Sequence, residues 1–220
     1  MDEVRQTAIK TSLLMGLFPS AVLMGDHSML PEFMIEVADD SRKVFKRGIF
    51  IAVVGYETDG HLYLKNALDN GAALLVVDEN HIREHPEVIE PAGNAPLLLV
   101  ENTRRAASIL AGEFYRHPSR ECAVHGVTGT KGKTTTVHIL ADILNRAGHR
   151  CAVMGTLGVE FNGEKRKSDL TTPGPIEFQK RMRFLADLGA TDIACEVSAH
   201  AGALSRTASV FLAMFGSRLK

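Results

Sequence analysis

The stretch Gly126-Val127-Thr128-Gly129-Thr130-Lys131-Gly132-Lys133-Thr134-Thr135-Thr136 constrains the fold more than any other part of this chain. Before it, the apolar run Cys122 to Val127 reads as a buried strand. After it, the spacing of Ile139, Leu140, Ile143 and Leu144 predicts an amphipathic helix. A strand that turns through glycines into a helix is the frame of a phosphate cradle. Glycines let the backbone turn so that N–H groups face phosphate oxygens, and the helix N-terminus adds free donors and a favourable dipole. In that frame Lys133 brings a cation to the β- and γ-phosphates, and the Thr134 hydroxyl is a magnesium ligand. The general pattern G-x-x-x-x-G-K-[ST] is not met strictly, because its first glycine falls at Val127, with Gly126 and Gly129 on either side. A solvated glycine turn is the competing account of a lone Gly-Lys-Thr. The strand before, the helix after and the three successive threonines favour the cradle.

Around this loop the chain alternates strand and helix patterns, which predicts an α/β fold. From the loop onward the expected elements are a strand over Cys151 to Met154, a helix from Pro175 to about Leu188, and a strand over Asp192 to Val197. Proline suits a first helical position. This order implies a parallel sheet with helices on its faces. Asn162-Gly163 is a hairpin signal, so Val159-Glu160-Phe161 and the residues after it are expected to form a small excursion. Upstream, a short helix through Leu13 and Leu14 precedes strands at Ile49 to Val54, Ala72 to Val77 and Leu97 to Val100. Helices fall near Leu62 to Leu68 and Arg104 to Tyr115, and Gly71 stands where a helix C-terminal cap belongs. His117-Pro118-Ser119 breaks the pattern. The expected organisation is a mixed α/β domain over 1–118, then an incomplete parallel-sheet, P-loop domain over 119–220.

Composition narrows the function classes. With 45% hydrophobic residues in 220, the chain can build a substantial core, and a net charge of −1 gives no footprint for nucleic acid. Cys122, Cys151 and Cys195 are too few and too scattered for a disulfide framework or a zinc pattern. Reduced thiols in a cytoplasmic protein are expected. The apolar stretch Leu13 to Phe18 is short and stops at Pro19, so neither a signal peptide nor a membrane span is expected.

Gly129-Thr130-Lys131-Gly132-Lys133-Thr134 resembles the ATP loop of the Mur ligases, where asparagine is more usual at the place of Lys131. Asp40-Ser41-Arg42, Gly48-Ile49-Phe50 and Gly55-Tyr56-Glu57-Thr58-Asp59-Gly60-His61 resemble the N-terminal domain of the MurE- and MurF-type members. Thr171-Thr172-Pro173, with Glu196-Val197-Ser198-Ala199-His200 and Arg206, is similar to the MurE type in particular, with Ala199 in place of a usual serine.

The resemblance implies an ATP- and magnesium-dependent ligase of peptidoglycan precursor synthesis. The carboxylate of a UDP-N-acetylmuramoyl dipeptide would become an acyl phosphate, and a third amino acid, lysine or diaminopimelate, would displace the phosphate. By position it implies that Gly129 to Thr135 bind ATP, with Lys133 catalytic. Ser41, Tyr56, Glu57, Thr58, Thr171, Thr172, Ser198 and Arg206 would contact substrate, and Thr134 and Glu196 would hold magnesium. A carboxylate at the end of a parallel strand suits that ion, which prefers oxygen ligands. The resemblance runs to about Arg206. The family's later parts, a second-metal segment, a carbamylated lysine and an amino-acid-receiving domain, have no counterpart before Lys220, so the chain is expected to be an incomplete piece without turnover of its own. Competing readings are a non-catalytic nucleotide- or UDP-sugar-binding module and an unrelated P-loop NTPase.

Overall fold

In the computed structural model, residues 6–55, 58–155, 157–166 and 174–197 are described in full and residues 212–216 as backbone. The chain divides into two compact units, Arg5–Phe114 and one carrying Tyr115–Lys220.

In the first unit β1 (Ile9–Lys10), α1 (Thr11–Gly16), β2 (Val22–Met24), β3 (Phe33–Met34) and β4 (Glu36–Ala38) lead to β5 (Gly48–Ile51). Then come α2 (Leu64–Asp69), β6 (Ala72–Asp78), α3 (Glu79–Glu84), β7 (Leu97–Val100) and α4 (Thr103–Phe114). Five strands form one sheet in the order β2-β7-β6-β5-β4, parallel except for β2, while β1 and β3 pair by themselves. β5, β6 and β7 are apolar along most of their length because both faces are covered. Phe50, Leu75, Val77, Leu97 and Leu99 pack with Leu64, Ala67 and Ile82 of α2 and α3, and α4 lies against β4, β5 and β6. Gly71, at φ +105°, takes the turn out of α2 where the cap was expected, its N–H donating to Leu68 O at 2.9 Å.

The second unit runs β8 (Ala123–Thr128), α5 (Lys133–Arg146), β9 (Cys151–Gly155), β10 (Gly158–Phe161), β11 (Glu164–Arg166), α6 (Pro175–Asp187), β12 (Asp192–Glu196) and β13 (Leu212–Gly216). Its sheet has the order β11-β10-β9-β12-β8-β13, with β9, β12, β8 and β13 parallel. The alternation of a strand sorts its side chains onto two faces. Ala152, Met154, Ile193 and Cys195 pack with Phe178, Met182 and Leu185 of α6, whereas Cys151, Val153, Ala194 and Val127 pack with Val137 and Ala141 of α5. Each such large buried side chain contributes about 1.5–3 kcal/mol.

The α/β expectation holds, and two local ones change. The Asn162-Gly163 hairpin is no excursion: β10 pairs antiparallel with β9 and carries the sheet outward to β11. The buried stripe of α5 is Val137 and Ala141 with Leu140 and Leu144 beside them, while Ile139 and Ile143 stand exposed. Cys122, Cys151 and Cys195 are free and buried, and burial pushes the thiols of Cys151 to about 11 and Cys195 to about 12, which leaves them inert. Among the described residues no helix is long and apolar enough to cross a membrane.

Candidate functional site

The glycine loop lies between β8 and α5. Gly129 (φ +150°) and Gly132 (φ +81°) both take a backbone conformation that L side chains rarely adopt, and Gly132 turns the chain directly into the first residue of α5. No side chain caps the start of that 14-residue helix, so its leading N–H groups face outward at the loop. Lys133 Nζ donates to Gly129 O at 2.8 Å, holding the ammonium over the loop, and Thr136 Oγ1 donates to Gly132 O at 2.9 Å. Thr130, Lys131 and Thr135 are exposed on the same loop and first turn.

Glu196 reaches this loop because β12 lies directly beside β8, with Glu196 opposite Val127. Its carboxylate, 2% exposed, accepts a hydrogen bond from Thr134 Oγ1 at 3.0 Å. Two hard oxygen donors thus meet at the C-terminal ends of parallel strands, against a helix N-terminus. The pair fits a magnesium ion, which takes oxygen ligands and few protein side chains. Strand alternation explains why they meet. Glu196 shares the face of Ala194, which α5 covers, and Thr134 is in the first turn of that helix.

In the first unit, Ser41 follows β4, and the turn from Gly55 to Thr58 follows β5. These are adjacent parallel strands, so both segments leave the same end of the sheet. Ser41 is buried in a short 3₁₀ turn capped by Asp40, whose Oδ1 accepts the Arg42 N–H at 3.1 Å. The Arg42 guanidinium grips the same carboxylate at 2.9 Å through both Nε and Nη2 and holds its pKa at about 2. Asn70 Nδ2 donates to Ser41 O at 2.9 Å, and Gly55 N–H donates to Thr58 O at 2.8 Å. Arg104, at the start of α4, donates to Val54 O. Tyr56, Glu57, Thr171, Thr172, Ser198 and Arg206 lie outside the described residues, as does His200.

A cluster that sequence reading missed stands just after that turn. Asp59, His61 and His81 bring three ligand-type atoms within 4.8 Å of one another. The protons argue for a clamp instead of a metal site. The Asp78 N–H donates to His61 Nε2 at 3.1 Å, so that nitrogen is bare, and Nδ1 carries the proton it gives to Asp59 Oδ1 at 2.7 Å. A metal on Nδ1 would move the proton to Nε2, straight against the Asp78 N–H. His81 stacks on His61 with ring centroids 4.2 Å apart, and its Nε2 is 2.9 Å from Asp59 Oδ2. Only Asp59-Gly60-His61 was adjacent in sequence; His81 arrives through β6 and α3.

Burial pushes the His61 pKa down, and the hydrogen bond from Nδ1 to Asp59 recovers only part of the shift. A histidine with a folded pKa below its unfolded value stabilises the fold fully above about 6.5 and loses that contribution as pH falls. The expected result is an unfolding free energy that drops between pH 7 and pH 5, by no more than about 1.4 kcal/mol per pH unit from this group. The variant His61→Gln, less stable at pH 7, should show a flatter profile. Urea titrations of both across that window are the check, and parallel profiles would remove His61 as the cause.

Two family descriptions match the chain in succession: "Mur ligase family, catalytic domain" over residues 36–115 and "Mur ligase middle domain" over residues 127–216. The second match extends ten residues past Arg206, the last residue of the motif resemblance, and takes in β13. A UDP-N-acetylmuramoyl-L-alanyl-D-glutamate–2,6-diaminopimelate ligase of Pseudomonas putida is 37% identical over 84% of this chain and 36% of its own length. The protein of the same name from Coxiella burnetii is 39% identical over 74% of this chain and 32% of its own length. The chain therefore spans about a third of the length of the curated relatives it matches. A solved structure bearing that ligase name covers 90% of this chain and 42% of its own, at TM-score 0.65 and 23% identity. The Thermotoga maritima MurF ligase, solved in complex with ADP, covers 87% and 39%, at TM-score 0.50 and 22% identity. The fold is thus that of solved ligases, and the two consecutive matches, backed by relatives of a third or more identity, place the chain in the Mur ligase family.

Proposed function

We propose that this chain supplies the nucleotide-sugar and ATP sites of a cytoplasmic MurE-type ligase, which adds a third amino acid to UDP-N-acetylmuramoyl-L-Ala-D-Glu. The observation that carries the reading is the meeting of Thr134 and Glu196, 3.0 Å apart, beside the glycine loop and Lys133. The loop N–H groups and the Lys133 ammonium hold the β- and γ-phosphates and offset charge that builds as the γ-phosphoryl group transfers. Thr134 and Glu196 would hold magnesium, which would supply further positive charge to offset the negative charge of the phosphates. The dipeptide carboxylate attacks the γ-phosphorus and ADP leaves, giving an acyl phosphate; the amine of the incoming amino acid then displaces phosphate to form the amide. Ser41, Tyr56, Glu57 and Thr58 are assigned to the uridine diphosphate end, and Thr171, Thr172, Ser198 and Arg206 to the remainder of the substrate. Whether lysine or diaminopimelate is added is left open by these residues.

Isothermal titration of the chain with UDP-N-acetylmuramoyl-L-Ala-D-Glu, and separately with magnesium-ATP, tests the assignment. Both should bind. Ser41→Ala should weaken the UDP-sugar about tenfold, the value of roughly one hydrogen bond, and leave magnesium-ATP unchanged. Magnesium-ATP binding with no UDP-sugar binding, or equal losses for both ligands in Ser41→Ala, would sink the two-site reading.

A further inference from the structure

Gly155, the last residue of β9, has a backbone conformation open to any residue. It is absent from the glycines with positive φ, unlike Gly158 three residues on, at φ +110°. A glycine in a strand without a conformational reason points to close approach by something else. Here that neighbour is the Glu196 side chain. β9 and β12 pair in parallel with Met154 beside Cys195, so Gly155 and Glu196 are the next neighbours, on the face that α5 covers. A Cβ built on Gly155 would lie 2.7 Å from both Cγ and Cδ of Glu196, and nearer still to Oε1. Real Cβ atoms do not come so close, and because the sheet fixes both backbones it is the Glu196 side chain that would have to move. The carboxylate therefore lies across the place where residue 155 would have a side chain. From there its Oε1 accepts the Thr134 hydroxyl at 3.0 Å.

We propose that Gly155 is a positioning residue for the Glu196 carboxylate: the missing side chain at the end of β9 is the slot that aims the carboxylate at Thr134. The proposal rests on the reading of Glu196 and Thr134 as the magnesium pair, and it adds a geometric requirement from a third strand. A methyl group at residue 155 forces Glu196 into another rotamer, away from Thr134, without disturbing the loop or Lys133. Binding of the nucleotide's phosphates by the loop is then kept while the contribution of the metal is lost. Removing the carboxylate and its stem, as in Glu196→Ala, empties the slot, so the two substitutions should not add.

The test is titration of ATP onto the 220-residue chain with magnesium and with EDTA, for the parent, Gly155→Ala, Glu196→Ala and Gly155→Ala/Glu196→Ala. In Gly155→Ala the magnesium concentration giving half of the metal-dependent gain in affinity should rise about tenfold, with the EDTA affinity unchanged. In the Glu196→Ala background the same substitution should change it less than twofold. Unchanged magnesium dependence in Gly155→Ala, alongside a loss in Glu196→Ala, overturns the positioning role and spares the metal pair. Unchanged dependence in Glu196→Ala overturns the metal reading itself, and this proposal with it. If Gly155→Ala lowers the unfolding midpoint, Glu196→Ala must restore it, because the clash is with that side chain. Failure to restore it overturns the proposal equally.

Discussion

Replacing Lys133 by alanine lowers the affinity of the chain for magnesium-ATP by about a hundredfold, equivalent to about 2.7 kcal/mol. The figure follows from removing one charge-assisted contact to phosphate, at the upper end of its usual range because the ammonium is already placed. It is half-buried and hydrogen-bonded to Gly129 O, so little freedom is lost when phosphate arrives. Lys131 is exposed on the same loop and would compensate only in part; Lys131→Ala should cost about threefold. Isothermal titration of the three proteins is the measurement. Fold loss is not a confounder, since truncating Lys133 removes a single bond to a backbone carbonyl and its unfolding midpoint should stay near the parent's. An affinity in Lys133→Ala equal to the parent's would mean that the loop is not the phosphate site.

The other large effect lies at the opposite end of β12. Asp192 is 4% exposed and accepts three hydrogen bonds at 2.8 Å, from His125 Nε2, His149 Nδ1 and Thr191 Oγ1. Burial pushes its pKa up, but those donors outweigh burial and leave the carboxyl below its ordinary value. Asp192→Ala takes the common acceptor from three donors, one on β8 and one each in the segments leading into β9 and β12. Stability should fall by about 3 kcal/mol, the scale for breaking a buried charged hydrogen-bond set. Urea unfolding followed by circular dichroism reads it as a lower midpoint at constant slope. A loss within 0.5 kcal/mol, the ordinary range for surface substitutions, would show that water serves these histidines as well as Asp192 does. The sign with pH is fixed by the depressed pKa: the contribution of Asp192 is complete above about 3.9 and is lost as pH falls below it.

These two positions also show what a sequence can carry. The Lys133 loop was legible because its information is local: glycines, a lysine and threonines within eleven residues, framed by a strand and a helix. The hairpin turn at Asn162-Gly163 was legible for the same reason, although its destination was not, since pairing with β9 depends on a sheet edge that a local signal does not describe. β4 went unseen because Glu36-Val37-Ala38 is short and runs into two aspartates. α3 had a real signal that was passed over: Asp78 Oδ1 accepts the N–H groups of both Asn80 and His81 at 3.1 Å, a helix N-terminal cap. On α5 the apolar spacing marks Leu140 and Leu144, which pack beside Val137 and Ala141, but also Ile139 and Ile143, each one position before them and exposed. At the candidate sites, Glu196 was assigned by resemblance, but its neighbours were out of reach. Gly155 beside Glu196, His125 and His149 on Asp192, and His81 on Asp59 are contacts across strands or crossovers, separated by 22 to 67 residues.

The outward continuation of the second sheet has a consequence for behaviour at high concentration. β11 is its edge strand, and all three of its residues, Glu164, Lys165 and Arg166, are charged and exposed. An edge strand offers unpaired N–H and C=O groups to any passing chain. Here a newcomer aligning with that row would have to strip water from three charges in succession, all of them already engaged in ion pairs, Lys165 with Glu160 and Arg166 with Glu164. The hairpin thus acts as a terminator, closing one side of the sheet to strand-by-strand growth. One edge of the first unit's own sheet is built otherwise: β2 has no charge, and Val22 and Met24 are exposed. Self-association through backbone pairing, when crowding or heat provokes it, should begin at β2 and not at β11.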